Sequence, residues 1–553
     1  MHACPMRVFA LSEGALHASR GSEERRVLTT EAGALDAEFD ACVVGAGPAG
    51  IACALDLSSR GLKVLLLEAG RERPIPGNPD LLAAELSHPE HHDPTDIVAA
   101  HALGGSSHWW GGRSVPFDAP DFAAWPISYD DILPWYARAA EFLGAHAVHE
   151  TPAPGAFAKL VAFDAARDET WCPQINMSIR WRNALHASDG PTVLLGARVV
   201  GLNHAESRIE SLRVRIGDEE RTARAKRFIL TCGGLGGLKL LLLAQHATPR
   251  LFGGPDGPLG RGYMGHLTGA IADIELANPR DVSAFSTRDV DPGVRARRRL
   301  RPREETIANE DIVNIAFWLE NASNENAEHG SAVASAKYVA ARAVRALAGR
   351  GGEDAPLKPH LDNIAQAPFS AGLGVARAGY LLAMTRLTGR LPRPSLTVPS
   401  GKGRWRLDYH AEQKADPDNR VSLSEARTDS VGLPALKIDF RFRDRDIAAV
   451  LRAHELLDAD LQSAGAGRLH LRGDRGKCLD TIKSYARDGY HQLGGAVMHP
   501  DPKRGVVDIT CRAHGVENLW IASSSVFPSG GQANPTLTIV ALSRRLAAHL
   551  AKT

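Results

Sequence analysis

The stretch "DACVVGAGPAGIACALDLSSRGLKVLLLEAG", Asp40 to Gly70, decides the fold. "ACVVGAG" is a short apolar run that ends in glycine, the pattern of a buried parallel strand. "PAGIACALDLSSRG" continues with apolar residues at Ile51, Ala54, Leu55 and Leu57 and a helix stop at Gly61. "KVLLLEAG" is a second apolar run, closing on Glu68. This is a βαβ unit with Gly45, Gly47 and Gly50 in its first turn. Gly45 permits the turn, Gly47 lets the backbone approach a pyrophosphate, and Gly50 lets helix and strand pack closely. Pro48 and Ala49 open the helix, whose dipole and free N–H groups face the phosphates. Glu68, 18 residues beyond Gly50, stands where an acid accepts hydrogen bonds from a ribose. Its charge disfavours a 2′-phosphate. FAD and NAD share this fingerprint, so the rest of the chain has to choose between them.

The composition sets few further limits. The 553 residues suffice for two or more domains or one large two-lobed body. Hydrophobic residues make up 44% and charged residues 23%, values of an ordinary globular protein. A net charge of +1 gives no field that points to nucleic acid or an anionic membrane. Seven scattered cysteines without a CxxC argue against a disulfide framework, a zinc site and attached haem. No metal is expected, and a reducing, cytoplasmic compartment is. No run of 18 apolar residues predicts a membrane span. Residues 1–38 lack a continuous apolar stretch and read as an N-terminal extension. The "TTEAG" that follows Arg25-Arg26 argues against a twin-arginine signal.

Two further stretches stand out. "ALGGSSHWWGG" (102–112) is a loop in which Gly104 and Gly105 let backbone sit against a cofactor, and Ser106 and Ser107 offer hydroxyls and N–H groups to phosphate. Trp109-Trp110 read by type as core, with a cover for a flavin ring as the second reading. "WPISYDDILPWYARAAEFL" reads as a helix capped by Ser128 or Asp130. At the other end, "NLWIASSSVFP" is a strand running into a serine-rich turn, and "PTLTIVALSRRLAAHL" is a helix with Pro535 in its first turn. Asn534 then reads as a helix cap and His491, among glycines, as a surface histidine.

Together these stretches resemble the glucose–methanol–choline (GMC) family of flavin oxidoreductases. The resemblance rests on the βαβ unit, the "GGSS" loop, "VGLNHAESRIESLRVRIGDEERTARAKRFILTCGGLGGLKLLLLA" from Val200, "GRGYMGHL" (260–267) and the closing "GVVDITCRAHGVENLWIASSSVFPSGGQANPTLTIVALS". It implies FAD rather than NAD. The implied fold is α/β: a discontinuous Rossmann-like FAD-binding domain, residues 39–270 and 470–553, with an inserted substrate domain, 271–469, that contains an antiparallel sheet and helices. His491 and Asn534, 43 residues apart, match the family's catalytic pair, with His491 as base and Asn534 steadying the alkoxide. Cofactor contacts are implied for the Gly45–Gly50 turn, Glu68, Gly104, Gly105, Ser106, Ser107, His108, Trp110, Gly111, Val199, Ser523, Ser524, Asn534, Pro535 and Thr536. The implied reaction is oxidation of an alcohol, such as a sugar or polyol, with oxygen, a quinone or a redox partner taking the electrons. A flavin-dependent lyase or light-driven reaction, and a flavoprotein without turnover, are the alternatives. Bacterial members often read "HHMGTTRM" where this chain has "HQLGGAVM", so Gln492 and Val497 depart from the pattern. Pyranose oxidase-like members join a histidine of "STHW" covalently to the flavin. Here "SSHW" sets His108 one residue closer to the glycines, and a non-covalent cofactor is expected.

The middle of the chain carries fewer signals. "RDVDPGVRARRRLRPREE" (288–305) reads as a solvated basic loop or strand edge. "SAVASAKYVAARAVRALAG" and "NIAQAPFSAGLGVARAGYLLAMTRLTG" have helical periodicity, and "PRPSLTVPSGKG" reads as an exposed loop. "WRLDYHAEQKADPDNRVSLSEARTDSVGLPALKIDFRF" alternates as antiparallel strands.

Overall fold

The computed structural model describes residues 28–75, 82–291, 293–347, 355–388, 396, 399 and 403–553. The expected extension up to residue 27, with Arg25-Arg26, lies outside the described residues, as does most of the "PRPSLTVPSGKG" loop.

Phe39–Val44 and Val64–Glu68 form adjacent parallel strands, and Pro48–Ser58 is the helix between them. The six-stranded sheet they belong to is parallel throughout. Its order is Leu28–Thr29, Thr192–Leu195, Val64–Glu68, Phe39–Val44, Ala225–Leu230 and Leu519–Ile521. Strands in such a sheet are covered on both faces, which is why they read as continuous apolar runs. Every residue of Val64–Glu68 is buried. The C-terminal helix Thr536–Leu550 packs on Pro48–Ser58, where the Ser543 hydroxyl donates to the Ala49 carbonyl at 2.7 Å. The last strand and last helix therefore complete the layers that residues 39–68 begin.

A second sheet is antiparallel, in the order Ile315–Glu320, Trp405–Glu412, His266–Leu276 and Gly467–Leu471. The expected domain boundaries at 270 and 470 both fall inside its strands. Its two faces differ in chemistry. Phe317, Leu319, Leu407, Tyr409 and Ala411 share the apolar face, and all are buried. His454 of the helix Asp444–Ala464 meets Phe317 and Tyr409 edge-on, with ring centres 4.8 and 5.3 Å away. The opposite face presents His266, His410, Asp408, Glu412 and Trp318, because alternate strand residues point to opposite sides.

The basic segment at 288–305 departs from expectation. Arg288–Asp291 and Val294–Arg298 are strands of a third sheet with Asp168–Trp171 and Arg113–Ser114. Arg297, Arg298 and Arg299 are buried rather than solvated. Carboxylates brought from distant segments, Glu169 foremost, make this possible. The two alanine-rich stretches are helices, Ala332–Leu347, Leu357–Gln366 and Pro368–Thr388, with a break before Pro368. Arg420–Thr428 and Pro434–Asp439 form an antiparallel pair, as the alternation predicts. Among the described residues no helix is long and apolar enough to cross a membrane.

Two predictions follow the packing. A Cβ on Gly50 would come within 1.8 Å of the Gly45 carbonyl and 2.7 Å of Thr231 Oγ1, whereas one on Gly372 meets nothing within 4 Å. Gly50→Ala is expected to cost about 1–3 kcal/mol in thermal or urea melting, and Gly372→Ala, inside an exposed helix, to be neutral or mildly stabilising. The second concerns acid. Burial pulls the His454 imidazole down to about 4. Between pH 4 and about 6.5 the unfolded chain binds this proton and the folded chain does not, so stability falls as pH drops through that window. Urea melts at pH 7 and pH 5 should differ by about 2 kcal/mol less in His454→Phe than in the parent.

Candidate active site

The loop Asp488–Leu493 follows the helix Arg475–Tyr485 and is tied to the polar face of the antiparallel sheet. Asp488 is the tie. Its Oδ2 accepts the backbone N–H of His266 at 2.8 Å and lies 3.0 Å from His491 Nδ1. Its Oδ1 accepts the N–H groups of Gly489, Tyr490 and His491 at 2.6, 2.9 and 3.2 Å. Burial would raise this carboxyl, but the charge and hydrogen bond of His491 overcome it and hold it well below the usual carboxylate range. An ionised Asp488 fixes the tautomer of His491: Nδ1 carries the proton and Nε2 is left with its lone pair.

Asn534 sits at that lone pair. Its Nδ2 donates to His491 Nε2 at 3.1 Å. The cap reading of Asn534 fails on the same geometry. The last helix begins at Thr536, Pro535 is its N-cap, and no side chain caps it. The structure thus brings His491 and Asn534 side by side, and adds Asp488, which sequence reasoning missed.

Two more histidines complete the group. His266 and His410 stack with ring centres 4.3 Å apart, and the His491 ring stands nearly perpendicular to both at 4.7 and 5.1 Å. Each buried ring spends one nitrogen on backbone carbonyls: His266 Nε2 on Gly530 and Gly531, His410 Nδ1 on Gln532. Burial pushes His266 down to about 3 and His410 well below the ordinary value, so both are neutral. The three rings offer nitrogens within 4.8 Å of one another.

The predicted cofactor contacts fall into two groups. The first is bare backbone. Gly47 is the N-cap of Pro48–Ser58 and no side chain caps that helix. A Cβ on Gly105 would lie 2.8 Å from Gly47 Cα, so the "GGSS" loop presses against the dinucleotide turn. An uncapped helix N-terminus flanked by two glycine loops fits a pyrophosphate. Glu68 closes the turn, accepting N–H groups of Ala46 at 2.9 Å and Gly70 at 2.8 Å, and burial pushes its carboxyl up to about 7. Val199 lies on Ala197–Ala205, the strand reached through Gly196, whose N–H donates to the Gly70 carbonyl. Gly104, Gly111, Pro535 and Thr536 are likewise backbone at loop or helix starts.

The second group spends its polar atoms within the chain. Ser107 donates to the Gly104 carbonyl at 2.5 Å and accepts from Met177 N–H. His108 engages the Leu103 carbonyl through Nε2 and Asn176 through Nδ1. Trp110 Nε1 donates to the Ile175 carbonyl, and the ring packs against the core, as its type suggests. The Ser523 hydroxyl pairs with that of Ser525, and the Ser524 hydroxyl donates to the Gln492 carbonyl. Ser106 is exposed and faces the Ala100 N–H at 3.4 Å. Gln492 accepts the Leu235 N–H at the start of Gly233–Ala247.

The chain matches the family model of the FAD binding domain over residues 40–268 and that of GMC oxidoreductase over residues 415–543. It is 36% identical over 138 residues to 6'''-hydroxyparomomycin C oxidase of Streptomyces lividus, a match covering 24% of this chain and 23% of that protein. It is 25% identical to paromamine 6'-oxidase of Streptomyces fradiae over 93% of this chain and 92% of that one. Pyridoxine 4-oxidase from Mesorbium loti has the same fold, with a TM-score of 0.52 at 16% identity over 92% of this chain and 98% of the other. The two family models and the relative matched along nearly its whole length lead to one conclusion: the chain belongs to the GMC family of FAD-dependent oxidoreductases.

Proposed function

We propose that the protein oxidises the alcohol group of a sugar, polyol or other hydroxylated small molecule to a ketone or aldehyde. The observation that carries this reading is the Asp488–His491–Asn534 chain, with hydrogen bonds of 3.0 and 3.1 Å and the lone pair of His491 Nε2 turned away from the carboxylate. FAD, when bound, supplies the acceptor for the hydride. The residues assigned to it are those of the Gly45–Gly50 turn, Glu68, the 104–111 loop, Val199 and the segment 523–536.

The chain's own residues handle the proton. The substrate hydroxyl donates to His491 Nε2, and Asn534 Nδ2 turns its N–H to the oxygen on which negative charge develops. Asp488 stays ionised and stabilises the imidazolium that forms. His266 and His410 help by remaining neutral, since a second cation 4–5 Å away would oppose protonation of His491. The oxidase names of the relatives support the same reading, which also takes in an electron acceptor. Both nitrogens of His108 are engaged, which favours a non-covalent cofactor. The six described cysteines are free, in keeping with a cytoplasmic protein.

The test is anaerobic mixing of the yellow holoprotein with a panel of alcohols in the dark. Bleaching of the flavin supports oxidation. A light requirement, or turnover without bleaching, would point to the lyase or light-driven alternative, and no reaction at all to a flavoprotein without turnover. His491→Ala is expected to slow bleaching by roughly 10²–10⁴-fold with FAD content unchanged. Asp488→Asn, which can hold the wrong tautomer, and Asn534→Asp, which sets a carboxylate where the alkoxide forms, are each expected to slow it by about 10²-fold or more. Wild-type rates in these two variants would remove both residues from the reaction.

A further inference from the structure

The helices Ala332–Leu347, Leu357–Gln366 and Pro368–Thr388 present apolar side chains to water that the oxidation chemistry does not use. Pro368–Thr388 does so most. It packs on Ala332–Leu347. Ala371 is buried, and Gly374 meets Val333 so closely that a Cβ there would lie 2.4 Å from Val333 Cγ1. At about 100° per residue, these two positions fix the inward side of the helix.

The opposite side carries a stripe. Phe369, Leu373, Ala376, Tyr380, Ala383 and Leu387 follow one another at alternating steps of four and three residues, the repeat of a single helix face, over about 27 Å. All of them are exposed. Phe369 is 85% exposed, Leu373 and Tyr380 63% each, and Leu387 80%. Large apolar groups this bare and this aligned differ from scattered surface leucines and mark an interaction surface. The preceding helix adds Leu357 and Leu361, one turn apart and also exposed.

Charge decides what covers the stripe. The three helices hold Lys337, Arg342, Arg345, Lys358, Arg377 and Arg386 against a single acid, Asp362, in a chain whose totals are 65 basic and 64 acidic residues. The small net charge therefore conceals a local basic excess. Lys337, Lys358 and Arg377 are exposed, and among the described residues none of them is in an ion pair. A surface helix with apolar side chains outward and basic residues beside them suits the headgroup layer of an anionic bilayer, with its apolar groups among the acyl chains and its cations on phosphate. Tyr380 fits that level, having an apolar ring and a polar tip. A second copy of the chain fits less well. The stripe is centred near Ala378, so a two-fold pairing along it would bring Arg377 of both copies together.

We propose that the helix Pro368–Thr388 docks the protein on an anionic lipid surface, with Phe369, Leu373, Tyr380 and Leu387 entering the interface and Lys358 and Arg377 meeting lipid phosphates. Docking of this kind is independent of the alcohol oxidised at His491. The experiment is co-sedimentation of the holoprotein with vesicles of equal parts phosphatidylcholine and phosphatidylglycerol, beside vesicles of phosphatidylcholine alone. The protein should pellet with the anionic vesicles, far less with the neutral ones, and less at high salt, which screens the basic residues. Leu373→Ser combined with Leu387→Ser should lower the partition roughly 100-fold, about tenfold for each leucine withdrawn from lipid. Arg377→Glu should lower it about fivefold or more. All three positions are exposed, so thermal melting of the variants should match that of the parent. Protein that stays in the supernatant would overturn the docking, as would pelleting that the leucine variant leaves unchanged. Equal pelleting with neutral vesicles would overturn it too. A dimer that ignores vesicles and separates in the leucine variant would give the stripe to a second copy instead.

Discussion

Asp488 holds the site together. One buried carboxylate receives the N–H groups of three successive loop residues, a backbone N–H from the sheet at His266, and the imidazole of His491. A carboxylate with that many donors is ionised in the folded protein despite its burial. It does two things at once. It locks the C-terminal loop to the antiparallel sheet, and it decides which nitrogen of His491 is unprotonated and able to accept a hydrogen bond. If Asp488 were protonated or removed, both the position and the tautomer of the base would be lost together.

The antiparallel sheet divides its labour between its faces. The apolar face is sealed by the helix Asp444–Ala464, with His454 held neutral against Phe317 and Tyr409. The polar face is less uniformly buried, with His266 and His410 buried and Arg406, Asp408 and Glu412 half-buried, and it is filled with histidines, carboxylates and arginines. Burying such groups is costly unless they are paired or neutral. Both solutions appear here. His266 and His410 are neutral, and Arg297 has two carboxylates. Arg299 has Glu169 Oε2 3.9 Å from its Nη1, beyond hydrogen-bond distance.

Local motifs made much of this legible. The βαβ unit, its glycines and Glu68 lie within 31 residues, and periodicity reads them directly. The helix after Ser128 follows from its cap: the Ser128 hydroxyl accepts the Asp131 N–H. The strand pairs after Trp405 follow from alternation. What stayed hidden depends on contacts between distant segments. His266 and His410 lie on strands more than a hundred residues apart, and only the sheet register brings them to His491. The "RARRR" run looked solvated because nothing in its own sequence shows Glu169 or Trp318 coming to meet it. Asn534 looked like a cap because Asn before Pro at a helix start usually is one, and a side-chain contact 43 residues away outweighed that preference. Asp488 had a legible signal, an acid three residues before the candidate base, which gained meaning only once the loop was seen to fold back on itself.

The account turns on the tautomer of His491, and that can be read without knowing the substrate. Histidine-selective ¹⁵N labelling of the holoprotein, with His491→Gln to assign the signal, distinguishes a protonated ring nitrogen from one with a free lone pair. At a pH where His491 is neutral, the account predicts Nδ1 protonated towards Asp488 and Nε2 unprotonated towards Asn534. A neutral ring carrying its proton on Nε2 would contradict it, because His491 would then face the substrate as a donor and have no lone pair with which to take the hydroxyl proton.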